Sequence, residues 1–258
     1  MRNYLFILFL SSLSFVSELF SQNTSDTSFI SFANRSENSF AVLLNSNGYG
    51  FNYHHGKRLD GFNRALFSVD ISEVKHSKEV KVINPYFNNS SKKFVFGKLN
   101  EVFLLRLSYG RFKILFDKFG KGGISVNRFW QAGLSTAFIK PVYYYVLYPT
   151  SDPNYKILRE EKFNYDMHRI TDIYSKANFF DHIEETVVLP GVFLRYGYSF
   201  DFSSSEYKVN SLECGIQLDG YPSKIQIMAA SEGTFYFFSL FVAYRYGKAT
   251  AKRINYNK

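Results

Sequence analysis

Five histidines are the side chains best suited to catalysis in this chain of 258 residues: His54, His55, His76, His168 and His182. A histidine bonded to a serine and oriented by a carboxylate could act as general base in acyl transfer. His76 precedes Ser77, but neighbouring strand residues point to opposite faces. His182 has Asp181 and Glu184 nearby and no serine at a useful spacing, and the other three also lack a serine partner. We therefore interpret all five as surface or interfacial residues and predict no catalytic site.

Metal, phosphate and nucleic-acid chemistry find no support in the motifs. Cys214 is the only cysteine, which excludes a disulfide scaffold and a multi-cysteine metal site. There is no HExxH pair, and Gly120-Lys121-Gly122-Gly123 lacks the spacing of a phosphate-binding loop. The formal net charge is +9, but the basic residues are spread over turns and ends. We expect no metal, no cofactor and no nucleic-acid partner.

A second set of charged residues recurs at alternate positions of strand-like runs. Such residues share one face of a sheet. If that face lines a narrow lumen, the charges must be paired and hydrogen-bonded. We predict an ion-pair network that fills the interior, with a narrow ion path as the alternative. The predicted members are Asp70, Arg106, Arg195, Asp201, Glu213, Asp219 and Arg245.

The opposite face of these runs is apolar, with aromatic residues at its ends. In the run 235–248 aromatics occupy both ends of one face and aliphatics the middle, while the other face carries Ser239, Arg245 and Gly247. A strand that crosses a bilayer needs about 9–11 residues, an apolar lipid-facing side and aromatic girdles. The predicted lipid-facing aromatic belt comprises Tyr196, Tyr198, Tyr236, Phe238, Tyr244 and Tyr246.

The same alternation predicts an all-β fold, a closed antiparallel transmembrane β-barrel of about eight strands. Asn47-Gly48 is a strong two-residue hairpin signal between the first two. Ten strands remain possible, and a soluble antiparallel sandwich is the alternative fold. A bulge is expected near Gly133. The predicted strands are 39–46, 49–57, 64–75, 98–111, 123–148, 187–202, 207–220 and 235–248.

Long connections are predicted on one side of the barrel only, as in outer-membrane proteins. The segment 149–186 is the longest, and Asp152-Pro153 could begin a helix in it. We therefore predict a partly helical outer loop. It would serve as a docking lid or be a solvated surface loop. The loop 76–97 is basic and could meet lipopolysaccharide phosphates. Its charges are Lys78, Lys81, Lys92 and Lys93 with Glu79.

The first residues of the chain indicate export. Arg2 precedes a mostly apolar run, and a small residue, Ser21, precedes Gln22, as in a signal peptide cleaved near Ser21/Gln22. We predict a signal peptide over 1–21, a short periplasmic segment over 22–38, a barrel over 39–248 and a basic tail over 249–258.

Several short motifs lie in the middle of the chain, from about 78 to 191. They are Lys78-Glu79-Val80-Lys81, Asn84-Pro85-Tyr86, Phe96-Gly97-Lys98-Leu99-Asn100, Leu105-Arg106, Gly122-Gly123-Ile124-Ser125-Val126, Lys140-Pro141-Val142-Tyr143 and Pro190-Gly191. In these stretches the chain resembles a family of small, mostly uncharacterised outer-membrane proteins from Bacteroidota. The resemblance implies a Gram-negative envelope protein with an accessory role beside a larger outer-membrane machine, and it carries no catalytic assignment.

These observations favour a non-catalytic accessory or structural subunit in a bacterial outer membrane. Its expected partners are membrane lipid, lipopolysaccharide and an outer-membrane protein. An outer-leaflet lipid-modifying enzyme is the second possibility, for which a histidine would have to share a face with a serine and a carboxylate. A narrow channel is the third.

Overall fold

The structure, a computed structural model, describes residues 35–87, 92–118, 123–150, 156–205 and 207–251. Alternation of small or polar residues with large apolar ones along each run drives the chain into strands with two unlike faces. Eight of the described strands form a barrel, namely β1 (Arg35–Asn45), β2 (Gly48–Arg58), β3 (Asn63–Val74), β6 (Asn100–Phe116), β7 (Ser125–Pro141), β11 (Val187–Asp201), β12 (Lys208–Ile225) and β13 (Thr234–Ala251). They close into an antiparallel barrel in the order β1-β13-β12-β11-β7-β6-β3-β2.

The two ends of the barrel differ in their connections. At what we call the short-turn end, residues 59–62, 117–124 and 202–207 join neighbouring strands. At the long-loop end, residues 75–99 and 142–186 make long excursions, while 46–47 and 226–233 are shorter. Among the described residues, no helical segment has the length and apolar character needed to cross a membrane.

The long excursions fold into sheets of their own. The first contains the hairpin β4 (Lys81–Val82) and β5 (Phe94–Val95). The second contains β8 (Tyr143–Pro149), β9 (Lys156–Lys162) and β10 (Ile173–Lys176), paired in the order β10-β8-β9, and we call this three-stranded sheet the cap. The short 3-10 turns Pro85–Phe87 and Ile183–Glu185 complete these segments.

The prediction of eight antiparallel strands in a closed barrel is confirmed, with corrections to individual elements. The first strand begins at Arg35 and the last ends at Ala251, so both extend into segments that were predicted to flank the barrel. The predicted strand 123–148 is two strands, because the chain leaves the barrel at Val142 and enters the cap. The described part of the loop 149–186 consists of short strands and turns, with one 3-10 turn and no α-helix, so the partly helical prediction is wrong there.

Some predictions fall outside the described residues or need a different physical account. The predicted signal peptide and the predicted helix start at 152–153 lie outside the described residues. No bulge occurs at Gly133, since β7 pairs in continuous register with β11, and the irregularity lies between Ile114 and Phe116 of β6. Gly133 is required for another reason, because a Cβ there would overlap the Leu107 carbonyl oxygen.

Candidate functional site

The interior of the barrel holds three buried arginine–carboxylate pairs at successive depths. Nearest the long-loop end, Arg106 donates from Nε and Nη2 to the two oxygens of Asp219, at 2.7 and 2.9 Å. Ser135 donates to the same carboxylate at 2.9 Å, and Ser72 accepts from Arg106 Nη1 at 2.8 Å. A bidentate pair with extra hydrogen bonds is the arrangement that offsets the desolvation of buried charges.

The middle pair joins Arg195 and Asp70, whose side chains are 1% and 0% exposed. Arg195 Nη2 donates to Asp70 Oδ1 at 2.8 Å and to Gln217 Oε1 at 3.0 Å, and Nη1 donates to Gln131 Oε1 at 3.3 Å. The two glutamines therefore supply neutral acceptors that satisfy the remaining guanidinium protons.

The third pair lies nearest the short-turn end. Arg245 donates from Nε and Nη2 to the two oxygens of Glu213, at 2.7 and 3.0 Å, and from Nη2 to Asn52 Oδ1 at 2.7 Å. His54 Nε2 accepts from Gln131 Nε2 at 3.0 Å, which links this layer to the middle one. Hydrogen bonds through His54 thus connect the second and third layers.

Phenylalanines alternate with the arginines along the lumen. The ring of Phe193 lies between Arg106 and Arg195, with both guanidinium carbons 5.0 Å from its centroid. Phe241 lies on the other side of Arg195, at 5.1 Å. The stack continues through Phe129, Phe112 and Arg64, with 6.3 Å between Phe241 and Phe129, 5.9 Å between Phe129 and Phe112, and 5.4 Å from Arg64 to Phe112. We call this series the arginine–phenylalanine column.

Apolar residues close the long-loop end of the lumen. Val74, Val102, Leu104, Ala137, Tyr221, Ile225, Ile227 and Met228 form a buried cluster there. The short-turn end instead opens into a small polar cleft whose lining includes Glu37, Arg64, Asp201, Glu213 and Arg245. The interior is therefore packed with side chains between an apolar seal and a shallow polar mouth.

Asp201 differs from the other six charged residues predicted for the lumen. It is half-buried at the mouth and accepts a hydrogen bond from Lys118 Nζ at 2.9 Å. Lys118 also donates to the Ser203 carbonyl and hydroxyl oxygens, both at 2.8 Å. This ion pair ties two turns of the short-turn end together. The structure brings the other six residues together as the three buried pairs.

The six predicted aromatic belt residues all lie on the outer surface of the barrel, between 39% and 61% exposed. Tyr236 and Phe238 lie toward the long-loop end of β13, and Tyr244 and Tyr246 toward its short-turn end. Tyr196 and Tyr198 occupy adjacent outward positions of β11, with hydroxyl oxygens 3.4 Å apart. Aliphatic side chains such as Leu240 separate the two ends.

The cap packs one face on an apolar cluster of its own, made of Phe94, Val142, Tyr144, Val146, Phe163 and Ile173. The buried Tyr144 hydroxyl bonds to the carbonyl oxygens of Val95 and Lys98, at 2.7 and 2.9 Å. Its burial also raises the pKa of this hydroxyl. Lys176 of β10 forms an ion pair with Glu101 of β6, so the cap is attached to the barrel by a charged contact as well.

The other face of the cap carries a polar and aromatic cluster. His182 has left-handed backbone (φ 56°) and stacks on Tyr143, with ring centroids 4.0 Å apart. Lys162 lies 2.6 Å from Glu185, and the Tyr143 hydroxyl donates to Glu185 at 2.7 Å. The Lys162 ammonium and the Tyr143 hydroxyl hold the pKa of the Glu185 carboxyl below its usual value.

The histidines do not assemble a catalytic triad in the described parts of the chain. His54 bonds to Gln131, and His55 Nδ1 lies 2.6 Å from Asn38 Oδ1. The Nδ1 atoms of His76 and His168 accept backbone N–H groups, and His182 lies 3.3 Å from Glu160. None of these partners is a serine hydroxyl.

Sequence reasoning missed several residues that complete the lumen. Gln131, Gln217 and Asn52 satisfy the guanidinium groups, and Phe193 and Phe241 separate them. All five occupy inward positions of the same alternation that marked the charged residues, so the signal was present. Their partners depend on the register between strands distant in sequence, which the local pattern does not give.

Comparisons with known proteins gave matches among solved structures alone. No protein-family model matches the chain, and neither does any curated protein sequence. Among solved structures, Ail, the attachment invasion locus protein of Yersinia pestis, is 8% identical with a TM-score of 0.40 and covers 84% of this chain and 99% of its own. The N-terminal β-barrel domain of Pseudomonas aeruginosa OprF is 11% identical, with a TM-score of 0.34, covering 84% and 98%. Neisserial surface protein A is also 11% identical, with a TM-score of 0.34, covering 85% and 97%. At these identities and scores the similarity extends to the barrel alone.

Proposed function

We propose that the chain spans a bacterial outer membrane as a closed barrel and displays the cap as a docking platform, in the role of a non-catalytic accessory or structural subunit. One observation carries the membrane placement, namely that the polarity of the barrel is inverted. Phe40 and Leu134 are 67% and 66% exposed on the outside, whereas Asp70 and Arg106 are 0% and 1% exposed inside. A soluble domain buries such apolar groups, whereas lipid accepts them.

The connections support an orientation. Outer-membrane barrels have short periplasmic turns and longer extracellular loops. We therefore place the short-turn end in the periplasm and the cap outside the cell. The exposed Lys78 and Lys81 of the first long excursion then lie on the side where lipopolysaccharide phosphates are found.

The filled lumen supports a role without transport. The arginine–phenylalanine column occupies the interior, and the apolar cluster around Tyr221 closes its long-loop end. An eight-stranded barrel has an interior just wide enough for its side chains. Neither a channel nor a serine–histidine enzyme is favoured by any contact within the described residues.

The cap supports the docking role. In the order β10-β8-β9 the strand β9 lies at the edge of the sheet, and within the described residues nothing pairs with its outer side. Ile157 and Leu158 of β9 are 47% and 48% exposed. An exposed edge with apolar side chains suits an extended segment of a partner protein that adds a strand.

Site-specific photocrosslinking in the native outer membrane tests this proposal. A benzophenone side chain at Leu158 is expected to give one discrete protein adduct. The matched control places the same side chain at Phe202, which is 42% exposed at the short-turn end, and is expected to give no such adduct. If Leu158 gives no adduct in a folded barrel, or both positions give the same one, the docking role is wrong.

A further inference from the structure

The outer surface of the barrel carries an unusual concentration of cations near the short-turn end. Arg111 and Lys113 of β6 and Arg128 of β7 are all exposed on the outward face. Lys113 and Arg128 occupy directly opposite positions of the two paired strands. We call these three side chains the basic edge patch.

The pairing of β6 with β7 places the like charges of Lys113 and Arg128 side by side, which destabilises the protein when no anion is bound. Directly opposite residues of an antiparallel pair have Cβ atoms about 4.5–5.5 Å apart, and like charges there repel each other. Within the described residues no carboxylate lies within 4 Å of the three cations. At the long-loop end, in contrast, the exposed Lys75 lies 3.6 Å from Glu73. Within the part of the chain that the structure describes, the patch therefore has no ion-pair partner, and it suits an external anion.

Aromatic residues flank the patch on the side of the barrel middle. Trp130 lies directly opposite Arg111, and Tyr196 lies opposite Trp130 on the next strand. Tyr198 lies opposite Arg128 in the adjoining row. Tryptophan and tyrosine favour the level of lipid headgroups, where the ring is apolar and the polar tip is wet. Arg111 thus lies level with Trp130, and Lys113 and Arg128 lie one row nearer the strand ends, level with Tyr198.

The positions of Lys113 and Arg128 along their strands agree with the level of the lipid headgroups. Lys113 is three residues before Phe116, the end of β6, and Arg128 is three residues after Ser125, the start of β7. At about 3.3 Å per residue this places both about 10 Å from the edge of the barrel. Lysine and arginine at such depths extend their charged tips toward the interface.

We propose that the basic edge patch binds the headgroup phosphates of anionic glycerophospholipids in the periplasmic leaflet. The chemistry is a phosphate diester held between Lys113 and Arg128, with Arg111 beside it and the acyl chains along the aromatic girdle. This inference rests on the proposed membrane placement, because it needs the outer surface of the barrel to face lipid.

Trp130 provides a local probe, since it is the only tryptophan in the chain. The folded protein is reconstituted in two sets of phosphatidylcholine vesicles. One contains dibrominated phosphatidylglycerol and the other contains the same fraction of dibrominated phosphatidylcholine. The quenching of Trp130 fluorescence is compared between the two sets. At low salt, each cation near an anionic surface strengthens binding to anionic lipid by roughly a factor of five. We expect at least that preference for phosphatidylglycerol, and we expect high salt to weaken it.

Two double variants make the test specific to the patch. Lys113→Gln with Arg128→Gln should reduce the preference to near one. Lys208→Gln with Lys248→Gln removes another pair of exposed, directly opposite lysines at the same end and should leave it unchanged. Equal quenching by both lipids, or equal loss in both variants, would overturn the proposal.

Two further readouts separate the possible failures. Displacement of brominated phosphatidylglycerol by lipid A at a lower mole fraction than by unlabelled phosphatidylglycerol would overturn the assignment to phospholipid. Folding is checked by the mobility shift of unheated samples in gels. A wild-type chain that does not insert into vesicles contradicts the membrane placement itself, whereas an inserted chain without lipid preference contradicts only the patch.

Discussion

Arg106 and Asp219 form a bidentate ion pair inside the barrel, with hydrogen bonds of 2.7 and 2.9 Å and side chains 2% and 1% exposed. Their strands, β6 and β12, are not neighbours in the barrel, so this pair spans the lumen. The ion pair therefore joins two sides of the wall that share no backbone hydrogen bonds. This arrangement makes the buried charges part of the packing of the barrel and gives the first prediction.

Replacement of Asp219 by alanine should strongly destabilise the barrel. It leaves the Arg106 guanidinium buried without its counter-ion, which typically costs about 3–5 kcal/mol. Urea titration in lipid vesicles, followed by gel mobility of unheated samples, measures the change in the free energy of unfolding. The matched control is Asp201→Ala, which breaks the partly exposed pair with Lys118 at the mouth of the lumen and should cost less, because solvent reaches both side chains. Similar costs for both variants would contradict the account of the lumen.

Replacement of Phe193 by leucine should cost more than the same change at Phe241. Phe193 lies between two guanidinium groups, whereas Phe241 contacts one, and both rings are buried. Each cation–π contact away from water contributes about 1–2 kcal/mol. The same urea titration should therefore give a difference of about 1–2 kcal/mol between the variants. An equal or larger cost at Phe241 would show that the packing around each ring, not the arginine contacts, decides the stability.

Replacement of Gly133 by alanine should destabilise the barrel where the same change at Gly220 is tolerated. A Cβ at Gly133 would overlap the backbone of β6, whereas at Gly220 it would meet only Val192 Cγ2, at 3.5 Å. Forcing an extra methyl group into a tight contact costs about 1–3 kcal/mol. Unfolding titrations of the two variants provide the comparison. Equal stabilities would mean that β6 and β7 separate easily at this point.

Acid should loosen the cap through Glu185. Because Lys162 and Tyr143 lower the pKa of this carboxyl in the folded state, the stabilisation is complete above the ordinary carboxyl pKa of about 4.3. It is lost as the pH falls through the lower folded pKa. Hydrogen exchange of β8 and β9, corrected for intrinsic rates, should show reduced protection in this pH range. Glu185→Gln should remove that component of the pH dependence, and an unchanged profile in this variant would contradict the assignment.

The barrel could be predicted from the sequence because its two faces differ in chemistry at every second residue. Strands such as β13 place Arg245 and Ser239 inward and Leu240 and Tyr244 outward, so period and membrane-like polarity are both visible locally. The cap could not be predicted in this way. Tyr143 to Leu147 are apolar or aromatic on both faces and continue the pattern of β7 without a break. Only the tertiary contacts of Val142 and Tyr144 take the chain out of the barrel.

The partners of the buried arginines likewise could not be predicted from the local sequence pattern. Period two places Arg106, Arg195 and Arg245 on one face, which suffices to predict that they need partners. The choice of Asp219, Asp70 and Glu213 as partners depends on the tilt and register of the closed sheet. Asp201 follows the same alternation but lies at the strand end, where the lumen opens to solvent.

The membrane placement is tested most directly at Cys214, the single cysteine, which lies on the outward face in the middle of β12. A nitroxide attached there, in the folded protein in vesicles, reports its relative accessibility to oxygen and to a water-soluble nickel complex. Lys208→Cys and Lys224→Cys, each combined with Cys214→Ser, place the same label on the same face near the two ends of the strand. A membrane-spanning barrel should give high oxygen and low nickel accessibility at position 214, with the reverse at 208 and 224. High nickel accessibility at all three positions would show that the outer wall faces water and would contradict the membrane-spanning barrel.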